Sequence, residues 1–246
     1  PSSGYLTLPG GVNRVADINA SGQIAGSRTG SSPAFNSPYR WSPMTGLEPP
    51  LRHGGNGAAA TGIDDDGLVV GNESGYGFME SYPVYWLADG TRYRITVPGA
   101  DNGRISTAIR GGIAAGTSGS RLLVWSLSGG AQVIERPAGT LALGGLTTGH
   151  GGHVAGYVVA DDEARTERPF IWTAGGGFRV LGVDLPRETH RDEAAYGVSR
   201  AGAVIASIAI QSRPFYATEA AGAQDILGDA GVTGRAQAIS ADGTVV

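Results

Sequence analysis

The chain of 246 residues contains no cysteine and no lysine. Without cysteine, disulfides and thiol nucleophiles are excluded, so packing alone must stabilise the fold. Arginine supplies all 18 basic residues, the net charge is −4 and no basic run occurs, which argues against a nucleic-acid partner. Aromatic residues make up only 7% of the chain. No apolar run approaches the roughly 18 residues that a membrane helix needs, so no membrane span is expected.

Glycine, in contrast, is abundant at 42 residues and recurs within a short motif. The motif reads apolar-x-x-x-Gly-x-apolar-small-Gly, as in Ile18–Gly26 and Ile63–Gly71. Asn or Asp shortly before a glycine is typical of a hairpin turn, because glycine accepts a positive φ. The turn glycines lie 45, 45, 40, 50 and 41 residues apart, at Gly22, Gly67, Gly112, Gly152, Gly202 and Gly243.

A second landmark keeps the same register. Tryptophan recurs at Trp41, Trp86, Trp125 and Trp172, and Ala217 stands where a fifth would fall. These tryptophans are expected to fill the space between neighbouring sheets. Two landmarks with one period indicate a true structural repeat of about 45 residues.

Each repeat contains two strands around the hairpin turn, an aromatic third strand and a fourth strand after another turn. Four antiparallel strands at this period predict an all-β fold, a β-propeller, in one domain. Six blades are expected, with the sixth closed by the N- and C-terminal strands. The predicted repeats are approximately 12–56, 57–102, 103–139, 140–190 and 191–232, with a closing blade from 233–246 and 1–11. A chain that continues past Val246 would leave room for more blades.

These residues resemble the HAF repeat, which defines a family of bacterial extracellular repeat proteins. The resemblance rests on Leu6–Gly11, Ala16–Asn19 and Gly22–Gly26, and it extends over essentially the whole chain. The triplet that names the family is altered, since Ser37-Pro38-Tyr39 carries no histidine and has proline where alanine is usual. The resemblance implies location at the cell surface or beyond, and it implies no established activity.

Functional residues are expected in the loops between second and third strands, because these loops vary most on an otherwise regular scaffold. One such loop, Asn72–Tyr82, carries Tyr76, Phe78 and Tyr82. Aromatic side chains there could stack on a sugar ring or anchor a protein partner, or they could fold back over the sheet edge.

A second loop, predicted at Tyr157–Glu167, adds Tyr157 and Arg165 as ligand-binding candidates. Its adjacent acids could supply oxygen ligands to calcium, although their spacing differs from that of a dedicated calcium loop. The alternative is a solvated charged loop with no metal. The weak calcium candidates are Asp161, Asp162 and Glu163.

The links between repeats contribute His53, His190 and Arg191, which are candidates for ligand contact or acid–base chemistry. No nucleophile elbow, phosphate loop or zinc signature accompanies them. The leading hypothesis is therefore a non-enzymatic, secreted or surface-exposed module that binds a glycan or a protein. The alternatives are a polysaccharide lyase or hydrolase that uses His190 or His53, and a structural module of a longer surface protein.

Overall fold

The computed structural model describes residues 14–28, 36–75, 80–100, 102–149, 151–181 and 197–199, together with the backbone of 204–208, 213–218 and 222–225. The regular structure of these residues is β-strand throughout. Within the described ranges there is accordingly no helix long and apolar enough to cross a membrane. The all-β class predicted from the repeat is confirmed.

The described strands form five antiparallel sheets, and in each sheet four strands follow one another in chain order. Sheet 1 contains β1 Arg14–Ile18, β2 Ile24–Arg28, β3 Ser37–Ser42 and β4 Gly46–Leu47. Sheet 2 contains β5 Gly57–Ile63, β6 Val69–Ser74, β7 Ser81–Trp86 and β8 Arg92–Arg94. Sheet 3 contains β9 Arg104–Ile105, β10 Ala114–Ser118, β11 Arg121–Ser126 and β12 Gly130–Ile134.

The last two sheets repeat the arrangement. Sheet 4 contains β13 Thr140–Thr148, β14 Val154–Ala160, β15 Glu167–Thr173 and β16 Gly177–Val180. Sheet 5 contains β17 Gly197–Val198, β18 Val204–Ile208, β19 Arg213–Thr218 and β20 Gly222–Asp225. The chain divides into two compact units, residues 1–108 and 109–246, which are described separately below. The single domain and the six blades stay predictions, and the closing blade at 233–246 and 1–11 lies outside the described residues.

The repeated motif folds as the expected hairpin between first and second strands. In sheet 2, the Asp64 N–H donates to the Leu68 carbonyl at 2.9 Å and the Gly67 N–H donates to the Asp64 carbonyl at 3.2 Å. Gly67 has a φ of 82°, the left-handed conformation that favours glycine. The Asp64 carboxylate accepts from the Leu68 N–H at 2.8 Å, so the acidic residue closes the turn.

The last glycine of the motif has a different role, which is to permit close packing. A Cβ placed on Gly71 would lie 2.1 Å from the Ala59 carbonyl oxygen, and one on Gly26 would lie 2.2 Å from the Arg14 carbonyl oxygen. The first strand bulges opposite each glycine, with register shifts between Val15 and Asp17 and between Ala60 and Gly62. Only glycine leaves room for this approach of two backbones.

Trp86 and Trp172 pack between neighbouring sheets as predicted, whereas Trp41 is only half-buried. In the first unit, Trp86 is fully buried in a cluster that joins Ala25 and Leu51 from the first repeat to Ala58, Ala60, Ile63, Val69 and Val84 of sheet 2. Its indole N–H donates to the Arg52 carbonyl at 2.6 Å. In the second unit, Trp172 lies in a cluster formed by sheets 3 and 4, with Ala115, Leu122, Val124, Val154, Val158 and Phe170. Residues at repeated positions thus contribute to the core between neighbouring sheets.

One strand differs from the sequence interpretation. The motif of the third repeat, Ile109–Gly116, is one residue shorter than the others, and the sequence before it predicts a first strand over Ile105–Ile109. The strand β9 ends at Ile105, and the hairpin beyond it is reduced to a single bridge between Arg110 and Ile113. Gly111 and Gly112 both have positive φ, so they form a tight two-residue turn that leaves little ladder on either side.

Candidate functional site

The first unit contains an open cavity of about 640 Å³, here called the loop-end groove. All of its lining residues belong to the unit of residues 1–108. They come from the first strands of sheets 1 to 3 and from the ends of second and third strands: Arg14, Val15, Ala16, Asn36, Gly57, Ala58, Ala59, Ala60, Thr61, Asn72, Ser74, Glu80, Ser81, Arg104, Ile105 and Ser106.

The position of the groove follows from strand direction. Ser74 ends β6 and Ser81 begins β7, so both lie at the end of sheet 2 where the loop between second and third strands begins and returns. Arg14 and Arg104 are the first residues of β1 and β9, which start from the links. In a sheet of sequential antiparallel strands, links and second-to-third loops share one end. The groove therefore opens at the end where functional loops were expected.

The floor of the groove is made of small residues. β5 reads Gly-Ala-Ala-Ala-Thr over Gly57–Thr61, and Ala16 continues this character in β1. Side chains this small fill little space, which leaves a concavity between the first strands. Val15 adds an apolar surface, because 54% of it is exposed to solvent.

Two cations lie among these small residues. Arg14 and Arg104 are both exposed, and among the described residues neither forms an ion pair. A guanidinium group presents five donors in a fixed, planar arrangement that matches a carboxylate or a sulfate. The groove thus presents donors with no carboxylate partner in the described part of the chain.

The backbone beneath both arginines is anchored. The Asn72 side chain donates to the Ile105 carbonyl at 2.6 Å and accepts from the Ile105 N–H at 2.8 Å, which secures β9 next to Arg104. The Tyr39 hydroxyl donates to the Arg14 carbonyl at 3.4 Å, and burial raises the pKa of Tyr39, so this phenol stays a donor near neutral pH. Asn36 adds an amide oxygen that is buried and accepts no hydrogen bond from the described residues.

Of the predicted aromatic candidates, Tyr82 lies next to the groove. Its hydroxyl donates to the carboxylate of Glu80, which lines the cavity. The hydrogen bond to Glu80 is the main reason that the pKa of Tyr82 is raised above its usual value. The Arg94 guanidinium carbon lies 3.6 Å from the centre of the Tyr82 ring, so a cation already covers one ring face. Tyr82 therefore orients Glu80 and offers at most its other face for stacking.

His53 occupies the link between sheets 1 and 2, outside the groove lining. Its Nδ1 lies 3.2 Å from the Gly55 carbonyl oxygen. The nearby carboxylate of Glu73 is buried, accepts from the Gly54 N–H and pairs with Arg92 at 2.6 Å. These contacts hold the link in place. Both oxygens of the Glu73 carboxylate are engaged by groups other than His53, namely the Gly54 N–H and Arg92.

The candidates of the second unit are placed differently from expectation. Tyr157 was assigned to a loop, but it lies within β14, pairs with Pro169 and packs its ring over Gly144. Strand alternation places this half-buried ring against the first strand of its own sheet, where glycine makes room. Arg165 does lie in the turn, exposed and with a φ of 49°.

The three acids Asp161, Asp162 and Glu163 are exposed in the same turn. Asp162 accepts from the Thr166 N–H at 2.9 Å, which lowers the pKa of its carboxyl, with Arg168 at 3.7 Å adding to the effect. Over the part of the chain that the structure describes, no three His, Cys, Asp or Glu side chains converge as metal ligands. The acids therefore close a turn and give the calcium hypothesis no support.

Tyr76, Phe78, His190 and Arg191 lie outside the described residues. The groove residues Arg14 and Arg104, in contrast, were missed by the sequence interpretation, which looked for chemistry in loops. Glu80 lies inside the predicted Asn72–Tyr82 loop but was not singled out there. The available signal was an arginine at the first position of two first strands, Arg14 in β1 and Arg104 in β9. Such a charge has no place in a crowded core and indicates a solvent-filled space.

No protein-family model and no curated protein sequence matches this chain. Solved structures do match it. A streptogramin B lyase superposes with a TM-score of 0.61 at 15% identity, over 93% of this chain and 73% of the other. A virginiamycin B lyase from Staphylococcus aureus gives 0.58 at 12% identity, over 92% and 74%. TolB from Acinetobacter baumannii gives 0.54 at 15% identity, over 83% and 50%. At such identities the likeness concerns the fold alone, and it confirms the β-propeller that the repeat predicts.

Proposed function

We propose that this β-propeller is a non-enzymatic module that binds a glycan in the loop-end groove. The observation that carries the proposal is a concave, strand-built cavity with anchored, unpaired arginines at its end. Sugar-binding sites need donors and acceptors on a rigid support, and residues on strands are held more rigidly than residues on loops.

The lining suits a hydroxyl-rich ligand better than an apolar one. Ser74, Ser81 and Ser106 bring hydroxyl groups to the groove, and Asn36 brings an acceptor without a partner among the described residues. A buried acceptor is stabilised when a donor reaches it, and a sugar hydroxyl is such a donor. The exposed Val15 can cover the apolar face of a pyranose ring, and the half-buried Ala59 of β5 adds a methyl group to the same lining.

The described geometry favours binding over acid–base chemistry. In the groove, the carboxylate of Glu80 is held by the Tyr82 hydroxyl. At the link, His53 faces a backbone carbonyl, and Glu73 is engaged by Gly54 and Arg92. A general acid or base must be within hydrogen-bond reach of its substrate. Glu80 lines the cavity but is bonded to Tyr82, and His53 lies outside the lining. We propose further, from the resemblance to the HAF repeat, that the protein acts outside the cytoplasm.

The test is a glycan array followed by calorimetry with the oligosaccharides that are retained. Ser106→Trp places a large ring in the groove at an exposed lining position, and Met44→Trp places the same ring at a turn position that is 95% exposed and not part of the lining. We expect Ser106→Trp to weaken binding at least about tenfold, a change of about 1.4 kcal/mol, and Met44→Trp to leave it unchanged.

Both variants should melt close to the wild-type temperature, which separates blocked binding from loss of fold. An array on which no glycan is retained would contradict the proposal, as would a Ser106→Trp protein that binds like the wild type. If the module instead captures a surface protein that carries no glycan, the ligand is a protein and the glycan proposal is wrong.

A further inference from the structure

We propose that the glycan is anionic, and that Arg14 and Arg104 bind its acidic groups; this inference rests on the proposed function. The chemistry required of the ligand is a repeated carboxylate or sulfate along a polar chain. The net charge of the protein is −4, so a cationic groove runs against the overall charge and is a local property of these strands.

Arg14 and Arg104 differ from four other arginines, each of which has an acidic partner. Arg40 pairs with Glu48 at 2.6 Å and Arg92 with Glu73 at 2.6 Å, and both acids are largely buried. Arg121 and Arg168 have acidic partners on the surface as well, Glu135 and Asp162. Arg14 and Arg104 line the cavity with no such partner among the described residues. They are the groove's available donors for an anion.

Side chains of other strands hold the backbone at Arg14 and next to Arg104. Each arginine begins a first strand, and each strand is held by a side chain from another strand, Tyr39 of β3 for β1 and Asn72 of β6 for β9. Binding therefore costs the ordering of two side chains and little of the backbone, which is the condition for useful affinity at an open surface.

Glu80 is the acidic residue that lines the same groove. Its carboxylate accepts from Tyr82, and Arg94 lies over the Tyr82 ring, so the negative charge is drawn towards a cation beside the groove. A carboxylate in the cavity would still repel an anionic ligand placed next to it. Glu80 thus sets where along the groove an acidic sugar can sit, and its removal should strengthen binding.

The experiment compares a galacturonan hexamer with the methyl-esterified form of the same hexamer, which has the same backbone and no charge. Titration calorimetry at low and at raised salt is done with wild type, Arg14→Ala, Arg104→Ala and the double variant. Arg121→Ala is the control, because it removes an exposed arginine that lies outside the groove. A sulfated galactan oligomer forms a third arm and distinguishes sulfate from carboxylate.

We expect the acid form to bind at least about tenfold more tightly than the ester, with the difference shrinking as salt rises. Each arginine variant should lose about tenfold for the acid and little for the ester, and Glu80→Gln should gain about threefold for the acid. Binding of the sulfated arm alone would support the inference and assign sulfate as the anion.

Equal affinity for the acid and the ester would overturn the inference and leave a neutral glycan as the ligand, so the proposed function would survive. Unchanged affinity of the double variant for the acid would overturn it too, since the charge would then be recognised elsewhere. If no arm binds and the array is also empty, both the inference and the proposed function fail.

Discussion

The two ends of sheets 1 and 2 are built on different principles. At the hairpin end, where β1 turns into β2 and β5 into β6, equivalent residues of the two repeats bind each other. The Asn19 amide donates to the Asp64 carbonyl at 2.8 Å, and the Ala20 N–H donates to an Asp65 carboxylate oxygen at 2.9 Å. Both bonds join residues 45 positions apart, so the period of the sequence is also the period of the contacts.

At the loop end, equivalent positions of the repeats carry different residues. Arg14 begins β1 and Arg104 begins β9, whereas β5 between them in the chain begins with Gly57. Repetition serves stability, because each sheet must fit its neighbour in the same way. Departure from repetition leaves unpaired groups that can be used for binding. Variants at the two ends should therefore change different properties.

The largest effect on stability is expected at Arg40. Its guanidinium group is buried, pairs with Glu48 and donates to the carbonyls of Gly67 at 2.8 Å and of Ala88. Arg40→Ala leaves these acceptors without their donor, so we expect the free energy of unfolding to fall by about 3–5 kcal/mol in urea denaturation. Arg121→Ala, which breaks an exposed pair, is the control and should cost below about 1 kcal/mol. Similar losses of unfolding free energy for both variants would show that the burial of Arg40 does not set the size of the effect.

Gly71→Ala should be next. The added Cβ meets the Ala59 carbonyl, so β5 and β6 must move apart, at a cost of about 2–3 kcal/mol. Gly175→Ala is a matched control, since Gly175 lies in a turn with open space around it and needs no positive φ. Equal melting temperatures for Gly71→Ala and the wild type would contradict the close approach of the two strands.

A smaller effect is expected from Asp64→Asn, and it should depend on pH. Burial is the main cause that raises the pKa of Asp64, so the folded protein binds this proton more tightly than the unfolded chain does. The contribution of Asp64 to stability is therefore fully present below its unfolded pKa and is lost as pH rises through the raised folded value. Asp64→Asn, which copies Asn19 of sheet 1, should remove this slope when denaturation is repeated across acidic pH. An unchanged slope would contradict the prediction.

The smallest effect on stability is expected at the loop end. Arg14→Ala and Arg104→Ala remove exposed side chains with no ion pair in the described ranges, so unfolding should change by less than about 0.5 kcal/mol. The same variants should lose binding of an acidic glycan. A loss of stability comparable to that of Arg40→Ala would mean that the loop end is also structural, and the contrast between the ends would disappear.

Much of the fold was predictable because its determinants repeat. The hairpin turns follow from glycine spacing, and the four-stranded sheets follow from the strands that the motif and the aromatic segment predict in each repeat. Of the repeated tryptophans, Trp86, Trp125 and Trp172 are buried. The shortened β9 was not predicted, since its length depends on a tight Gly111-Gly112 turn and not on apolar alternation. Tyr157 was misplaced for a related reason, because a strand that extends to Ala160 moves the loop beyond it.

The candidate site was less predictable than the fold. The sequence indicated the correct end of the sheets, and it pointed to Tyr82, which contacts the groove residue Glu80. It did not indicate Arg14 or Arg104, which are 90 positions apart, or two periods of the repeat, and lie outside the motif that the sequence interpretation followed. Residues at such a separation are brought into one cavity only by the packing of first strands.

The sequence by itself determined the repeat and the all-β class. These properties are local, since a hairpin turn and its strands are encoded within about 45 residues. Tertiary structure alone decided which polar groups find partners and which do not. That outcome depends on distances between strands of different sheets: Arg40 reaches two carbonyls and an acid, whereas Arg14 and Arg104 reach the open groove.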